Sequence, residues 1–121
     1  MPKFGANAFI WIDDWTTEKG NHAIAEAAKT GFDFIEVPLM KPWDFDPAAH
    51  KPVFAQAGIG ATASVILPQN AHMPTYPEKA KQFLLAVLEK LDAVRGDVYR
   101  LRPVLKTLDW PLMMFRALGM R

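Results

Sequence analysis

The feature that most constrains this chain is a threefold repetition, within the first 96 residues, of a short apolar run followed by a helical segment. The apolar runs cover residues 3–9, 32–39 and 59–67. Strands that alternate with helices over short connections form a parallel sheet with right-handed crossovers. Three parallel strands can neither close into a ring nor cover both edges of their sheet. The sequence therefore predicts a small open α/β sheet or part of a larger α/β fold.

Local signals mark where the three helices begin and end. The expected starts are Thr16 or Thr17, the pair Asp46-Pro47, and the capping box Thr75-x-x-Glu78. A glycine follows each expected helix end, at Gly31, Gly58 and Gly96. The third helix is predicted to bury a stripe made of Ala80, Leu84, Val87, Leu88, Leu91 and Val94. These signals predict the element order β-α-β-α-β-α.

Charge and composition exclude several classes of function. A net charge of +1 over 121 residues is too balanced for a protein built around nucleic-acid phosphates. The absence of cysteine excludes a disulfide, a thiolate nucleophile and a thiolate metal site. No apolar run approaches the ~20 residues of a membrane-spanning helix, and the N-terminus lacks the apolar core of a secretory signal. We therefore expect a cytoplasmic protein that binds neither nucleic acid nor a membrane.

The last 25 residues differ in composition from the rest of the chain. Residues 97–121 contain five Lys/Arg and two Asp/Glu, whereas residues 1–96 contain nine and eleven. We therefore divide the chain into residues 1–96 and an atypical basic tail, residues 97–121. Two interpretations of the tail stay open. It is either a genuine basic C-terminal segment or the product of a shifted reading frame, because codons for residues 97–104, displaced by one base, can spell the strand-like sequence MYTGCVLY.

Three motifs in order resemble the opening of the xylose-isomerase-like sugar isomerases and epimerases, and within them the D-tagatose and D-psicose 3-epimerases. They are the run Lys3–Trp11 with a further Trp15, the sequence GFDFIEV at 31–37, and Ala57-Gly58-Ile59 followed by Thr62-Ala63-Ser64. The likeness covers residues 3–95. It implies the first three βα units of a (β/α)8 TIM barrel, followed by an atypical C-terminal tail. Such a barrel has about 250 residues, more than twice the length of this chain.

The resemblance also implies a chemistry and a set of binding residues. The family is expected to hold a divalent metal, usually Mn²⁺, and to epimerise ketoses through carboxylate proton transfer. Its metal ligands lie in the second half of the barrel, so no catalytic or metal-binding residue is assigned in this chain, and we expect the chain itself to be inactive. The positions that match the family's ketose-binding wall are Asn7, Trp15, Glu36, Ser64 and Val65.

Each candidate residue also has a structural interpretation. Glu36 could orient a sugar hydroxyl, or it could be a buried acid tied to backbone or lysine groups. Trp11 and Trp15 could stack on a sugar, or they could belong to the core or a lid. His22 and His50 are expected on solvated helix surfaces. The alternative function is a non-enzymatic α/β module that binds a ligand or associates with itself through its open sheet edges.

Overall fold

The computed structural model describes residues 2–95. These residues form a parallel sheet of three strands in the order β1-β2-β3, and a helix follows each strand. The elements are β1 (Gly5–Asn7), α1 (Thr17–Thr30), β2 (Phe34–Pro38), α2 (Pro47–Ala57), β3 (Gly60–Ser64) and α3 (Pro77–Arg95), with single 3₁₀ turns at Ala8–Ile10, Pro42–Asp44 and Gln69–Ala71. The predicted element order is confirmed. The tail predicted at residues 97–121 lies outside the described residues.

Two of the three predicted helix starts are confirmed. The side chains of Thr16 and Asp46 accept backbone N–H groups in the first turns of α1 and α2, as N-caps do. The prediction for α3 is wrong, because this helix begins at Pro77 and the Thr75 hydroxyl lies 3.2 Å from Nδ1 of His72 instead. Proline is favoured in the first turn of a helix, and Pro77 therefore moves the start along the chain.

Two glycines end helices in the way the sequence predicted. Gly31 follows α1 with a φ of 98°, and Gly58 follows α2 with a φ of 71°. A side chain is strained in this left-handed conformation, whereas glycine adopts it readily. Gly96, the glycine expected to end α3, lies outside the described residues.

The first strand is shorter than the sequence predicted. The strand ends at Asn7, and the chain turns at Ala8–Ile10 instead of continuing to Phe9 as a strand. The cause is local, because Oδ1 of Asn7 accepts the backbone N–H of Phe9 at 2.9 Å and so caps the turn. An asparagine side chain offers the backbone an alternative to the strand ladder in this way.

The helices pack against one face of the sheet. Alternate strand residues point to opposite faces, and Ile35, Val37 and Ala61 join one buried cluster with side chains of all three helices. Within residues 2–95 no helix covers the other face. We call this the open face, and its residues are Asn7, Phe34, Glu36, Thr62 and Ser64, all of them half-buried.

Helix α3 buries a slightly different stripe from the predicted one. Ala80, Val87 and Val94 are buried as expected, but Phe83 is buried and was not predicted. Phe83 meets the ring of Trp43 edge-on, with the ring centroids 5.9 Å apart. Leu84, Leu88 and Leu91, predicted as buried, are half-buried. No helix in residues 2–95, α3 included, has the length and apolar character needed to cross a membrane.

Candidate functional site

Strand register brings three polar side chains into one row on the open face. Asn7 of β1 pairs with Glu36 of β2, and Glu36 pairs with Thr62 of β3. Ser64 lies one strand repeat further on and pairs with Pro38. This row lies at the end of β1 and in the middle of β2 and β3. Ser64 and Pro38 lie at the carboxyl ends of their strands, the end of the sheet where α/β folds place their ligands.

A hydrogen bond joins Asn7 to Glu36 within this row. Nδ2 of Asn7 donates to Oε1 of Glu36 at 2.6 Å, while Oδ1 of Asn7 accepts from the backbone N–H of Phe9. Both ends of the Asn7 amide are therefore used, and its orientation is fixed. Within residues 2–95 the second oxygen of Glu36, Oε2, accepts no hydrogen bond. This oxygen is free to accept a hydroxyl of a ligand.

A cleft of about 370 Å³ lies beyond the carboxyl ends of β1 and β2. Phe9, Trp15, Leu39 and Phe45 contribute apolar walls, and the cleft also contains charged side chains of Asp13, Asp14, Lys41 and Asp44. Apolar walls with a few polar groups are typical of small-molecule sites, and the size falls in their usual range.

An ion-paired cluster lies at the rim of this cleft. Nζ of Lys19 lies 2.6 Å from Oδ1 of Asp13 and 2.6 Å from Oδ1 of Asp14. The hydrogen bond from Lys19 lowers the pKa of Asp13 to about 2, and the two carboxylates raise the pKa of Lys19. All three side chains are exposed, so water and salt screen the cluster and we assign it no large share of the stability.

Trp15 packs against the core and also lines the cleft. Its indole Nε1 donates to Nε2 of His50 at 3.1 Å, and its ring lies 5.9 Å from that of Phe45. Trp11 is also half-buried and meets Phe32 edge-on at 6.0 Å. Both tryptophans pack against the core, and Trp15 in addition forms part of the cleft wall.

His50 is fully buried, which corrects the prediction that it lies on a solvated helix surface. Its Nδ1 lies 2.7 Å from Oδ1 of Asn21 on α1. An indole N–H can only donate, so Nε2 of His50 must be an acceptor and the proton sits on Nδ1, which donates to Asn21. Burial lowers the pKa of His50, in agreement with a neutral ring.

The structure places the five predicted ketose-binding residues in three different settings. Asn7 and Glu36 are bonded together on the open face, and Ser64 ends β3 on the same face. Trp15 lines the cleft. The side chain of Val65 packs against the core cluster, away from this row. The binding roles of these residues remain predictions.

The sequence analysis missed Thr62 as a candidate. Thr62 lies in register with Glu36, and Phe9, which follows the end of β1, lines the cleft. Thr62 and Ser64 are two residues apart in a strand and so share a face, which is a signal the sequence contains. The position of Phe9 depends on the turn at Ala8–Ile10, which was predicted as strand.

The described residues do not fit the divalent metal that the family resemblance implies. In residues 2–95 there is no group of three or more His, Asp or Glu side chains that could hold a metal ion. Glu36 is the one acid within the three strands, and one of its oxygens is occupied by Asn7. We therefore derive no metal-dependent step from these residues.

Comparison with known proteins identifies relatives of one kind. The L-ribulose 3-epimerase of Methylomonas sp. (strain DH-1) is 36% identical over 99 residues, which is 78% of this chain and 35% of that protein. The ketose 3-epimerase of Arthrobacter globiformis is 32% identical over 63 residues, which is 52% of this chain and 22% of that protein. No family model matches the chain.

A solved structure agrees with these relatives. The crystal structure of D-allulose 3-epimerase from Methylomonas sp. in complex with D-allulose superposes with a TM-score of 0.68 and 31% identity, covering 77% of this chain and 35% of that one. The chain thus spans about a third of the length of the relatives it matches. Its homologues are ketose 3-epimerases, matched in their N-terminal part. The predicted family resemblance and the predicted partial TIM barrel are confirmed.

Proposed function

We propose that this chain, whose homologues are ketose 3-epimerases, carries a ketose-binding wall of an epimerase-like (β/α)8 barrel and does not itself epimerise a sugar. The observation that supports the proposal best is the Asn7–Glu36 pair on the open face. It leaves one carboxylate oxygen available beside Thr62, one strand repeat before Ser64 at the end of β3.

Each residue of this wall would make a different contact with a bound ketose. Oε2 of Glu36 would accept a sugar hydroxyl, with Asn7 holding the carboxylate in place. The hydroxyl of Ser64 can both donate and accept at the end of β3. The ring of Trp15 would cover an apolar C–H face of the sugar, and Val65 would support the end of β3 from the core side.

The expected lack of epimerase activity follows from the chemistry of inversion. Inverting a carbon requires that its proton leave on one face and return on the other, so two acid–base groups are needed. Within the strands of the described residues there is one acid, Glu36, and it lies in a hydrogen bond with Asn7. The three strands supply no second acid–base group beside Glu36, and the described residues contain no group of side chains that could hold Mn²⁺ or another divalent metal.

A binding and turnover experiment tests the proposal. We expect D-allulose to bind the full chain weakly, on the order of millimolar, because the wall encloses one side of the sugar only. Saturation-transfer NMR would measure this binding, with an alditol of the same size as the negative control. Incubation with Mn²⁺ and D-allulose, D-fructose or D-tagatose should give no epimer, and measurable conversion would overturn the proposed lack of activity.

A matched pair of variants tests which carboxylate binds. Glu36→Gln should weaken D-allulose binding about three- to tenfold, because a hydrogen bond to a charged acceptor is lost. Glu78→Gln, which changes an exposed acid on α3, should leave binding unchanged. Equal binding by the two variants would contradict the assignment of Glu36 to the sugar.

A second candidate function is a non-enzymatic module that associates with itself. Within residues 2–95 the outer edges of β1 and β3 pair with no further strand. Phe4, directly before β1, is 65% exposed, and Ile66, shortly after β3, is 72% exposed. Unpaired strand edges beside apolar side chains favour association. Sedimentation velocity over a range of concentrations would show this association as a weight-average mass that rises with concentration. The cytoplasmic location of the protein remains a prediction.

A further inference from the structure

We infer that His50 is a positioning residue, whose neutral imidazole holds the indole of Trp15 in place as a wall of the cleft. The contribution of this wall to sugar binding rests on the proposed function, whereas the positioning itself rests on the geometry of the described residues.

The imidazole of His50 joins three separate parts of the fold. It is held on α2, its Nε2 accepts from Trp15 in the loop between β1 and α1, and its Nδ1 donates to Asn21 on α1. The rings of Trp15 and His50 meet edge to face, with centroids 5.1 Å apart and planes at 66°. Since both ring nitrogens are bonded and the ring is fully buried, His50 has one orientation available.

The hydrogen bond from the Trp15 indole to Nε2 of His50 forms only when the imidazole is neutral. A protonated imidazole carries a hydrogen on both nitrogens, so Nε2 would turn a second donor toward the Trp15 indole. Burial lowers the pKa of His50, and the charge of Asp46 at the start of α2 acts in the opposite, weaker direction. From α3, Lys90 reaches a backbone carbonyl near the cluster, at 3.0 Å. Asn21 and Trp15 do not titrate.

The sign of the pH effect follows from these contacts. Above the ordinary histidine pKa of 6.5, the ring is neutral in both the folded and the unfolded chain, and the contribution of the cluster to stability is fully present. Below that pH the unfolded chain takes up a proton that the folded chain excludes, so the free energy of unfolding falls. When the pH also passes the lowered pKa of the folded chain, the ring protonates in place and the Trp15 contact breaks.

NMR of the Trp15 indole N–H in the full chain tests the inference, with Trp15→Phe used to assign the signal. In the wild-type chain we expect strong protection of this proton near neutral pH, measured as its exchange rate relative to that of a free indole at the same pH. The protection should fall when the pH drops below the lowered pKa of His50. His50→Leu removes the acceptor and should speed exchange about fivefold or more. His50→Gln offers an amide oxygen and should restore slow exchange without the pH response. His22→Gln, at an exposed histidine, should behave as wild type.

Each outcome bears on the inference. Unchanged indole exchange in a folded His50→Leu variant would overturn it. If that variant does not fold, slow and pH-independent exchange in His50→Gln supports the inference, and wild-type pH response in His50→Gln contradicts it. D-allulose binding separates the two claims: a chain that binds no D-allulose but shows these indole effects retains the positioning role and contradicts the proposed function. D-allulose binding that weakens severalfold in His50→Leu and recovers in His50→Gln supports both the positioning role of His50 and the proposed function.

Discussion

At the scale of single residues, the packing of Trp15 explains why α1 contains a glycine. Gly20 is buried in the first part of this helix, and a Cβ added there would overlap the indole of Trp15. The indole cannot easily move aside, because His50 holds its Nε1. Glycine normally destabilises a helix, so its presence here indicates that the close approach of the ring outweighs helix propensity.

Gly20→Ala is therefore expected to destabilise the protein, although alanine is the better helix former. Helix propensity alone would stabilise by about 1 kcal/mol, whereas overpacking a buried site typically costs about 1–3 kcal/mol. We expect the free energy of unfolding to fall on balance, by up to about 2 kcal/mol. Urea denaturation would measure the change.

The same substitution in a Trp15→Ala background provides the control. With the ring removed, the three nearest contacts of the added methyl group are gone, so the cost of overpacking falls and Gly20→Ala should become stabilising. A destabilising effect of similar size in both backgrounds would show that the indole is not the cause.

Residue-level prediction from sequence succeeded where neighbours in the sequence set the environment. The motif at 31–37 predicted a strand that contains Glu36, and β2 contains it. The burial of His50 could not be predicted in this way. Its partner Trp15 is 35 residues away, in a loop whose path depends on the whole fold, and helix periodicity carries no information about such a contact.

At the scale of elements, the contributions of Thr16 and Thr75 to stability can be compared by substitution. Thr16 accepts a backbone N–H at the start of α1 at 3.2 Å, whereas Thr75 contacts His72 and caps nothing. Thr16→Ala should lower the free energy of unfolding by about 1 kcal/mol. Thr75→Ala, at an exposed residue, should change it by less than about 0.5 kcal/mol. Thermal or urea unfolding of the pair would measure this, and a larger loss for Thr75→Ala would restore the capping box that the sequence predicted.

Helices and strands were predictable in order and less so in their limits. The ends of α1 and α2 were predicted because Gly31 and Gly58 act locally. The limits of β1 and α3 were missed for local reasons also, since the Asn7 side chain competes for the backbone of β1 and Pro77 competes with Thr75 as the start of α3. Where two local signals lie within a few residues of each other, the sequence does not determine which of them sets the limit of the helix or strand.

At the scale of the whole molecule, the described residues form a sheet with helices on one face and, on the other, polar residues together with Phe34. Sequence alternation predicted the parallel sheet, and the three motifs predicted its relation to an epimerase barrel. The composition change at residue 97 lies outside the described residues, and its origin can be tested by reading the nucleotides that encode residues 96–104. A displaced frame that meets stop codons at once would rule out the frameshift interpretation.

The open face is the part of the molecule on which the proposed function depends, and a titration with D-allulose followed in amide NMR spectra of the full chain tests it most directly. We predict that the largest shifts fall on Asn7, Glu36, Thr62 and Ser64 and on the Trp15 indole, with little change on the outer surfaces of α1, α2 and α3. Shifts confined to those helix surfaces, or no shifts at sugar concentrations well above the millimolar range, would contradict the assignment of this face to ketose binding.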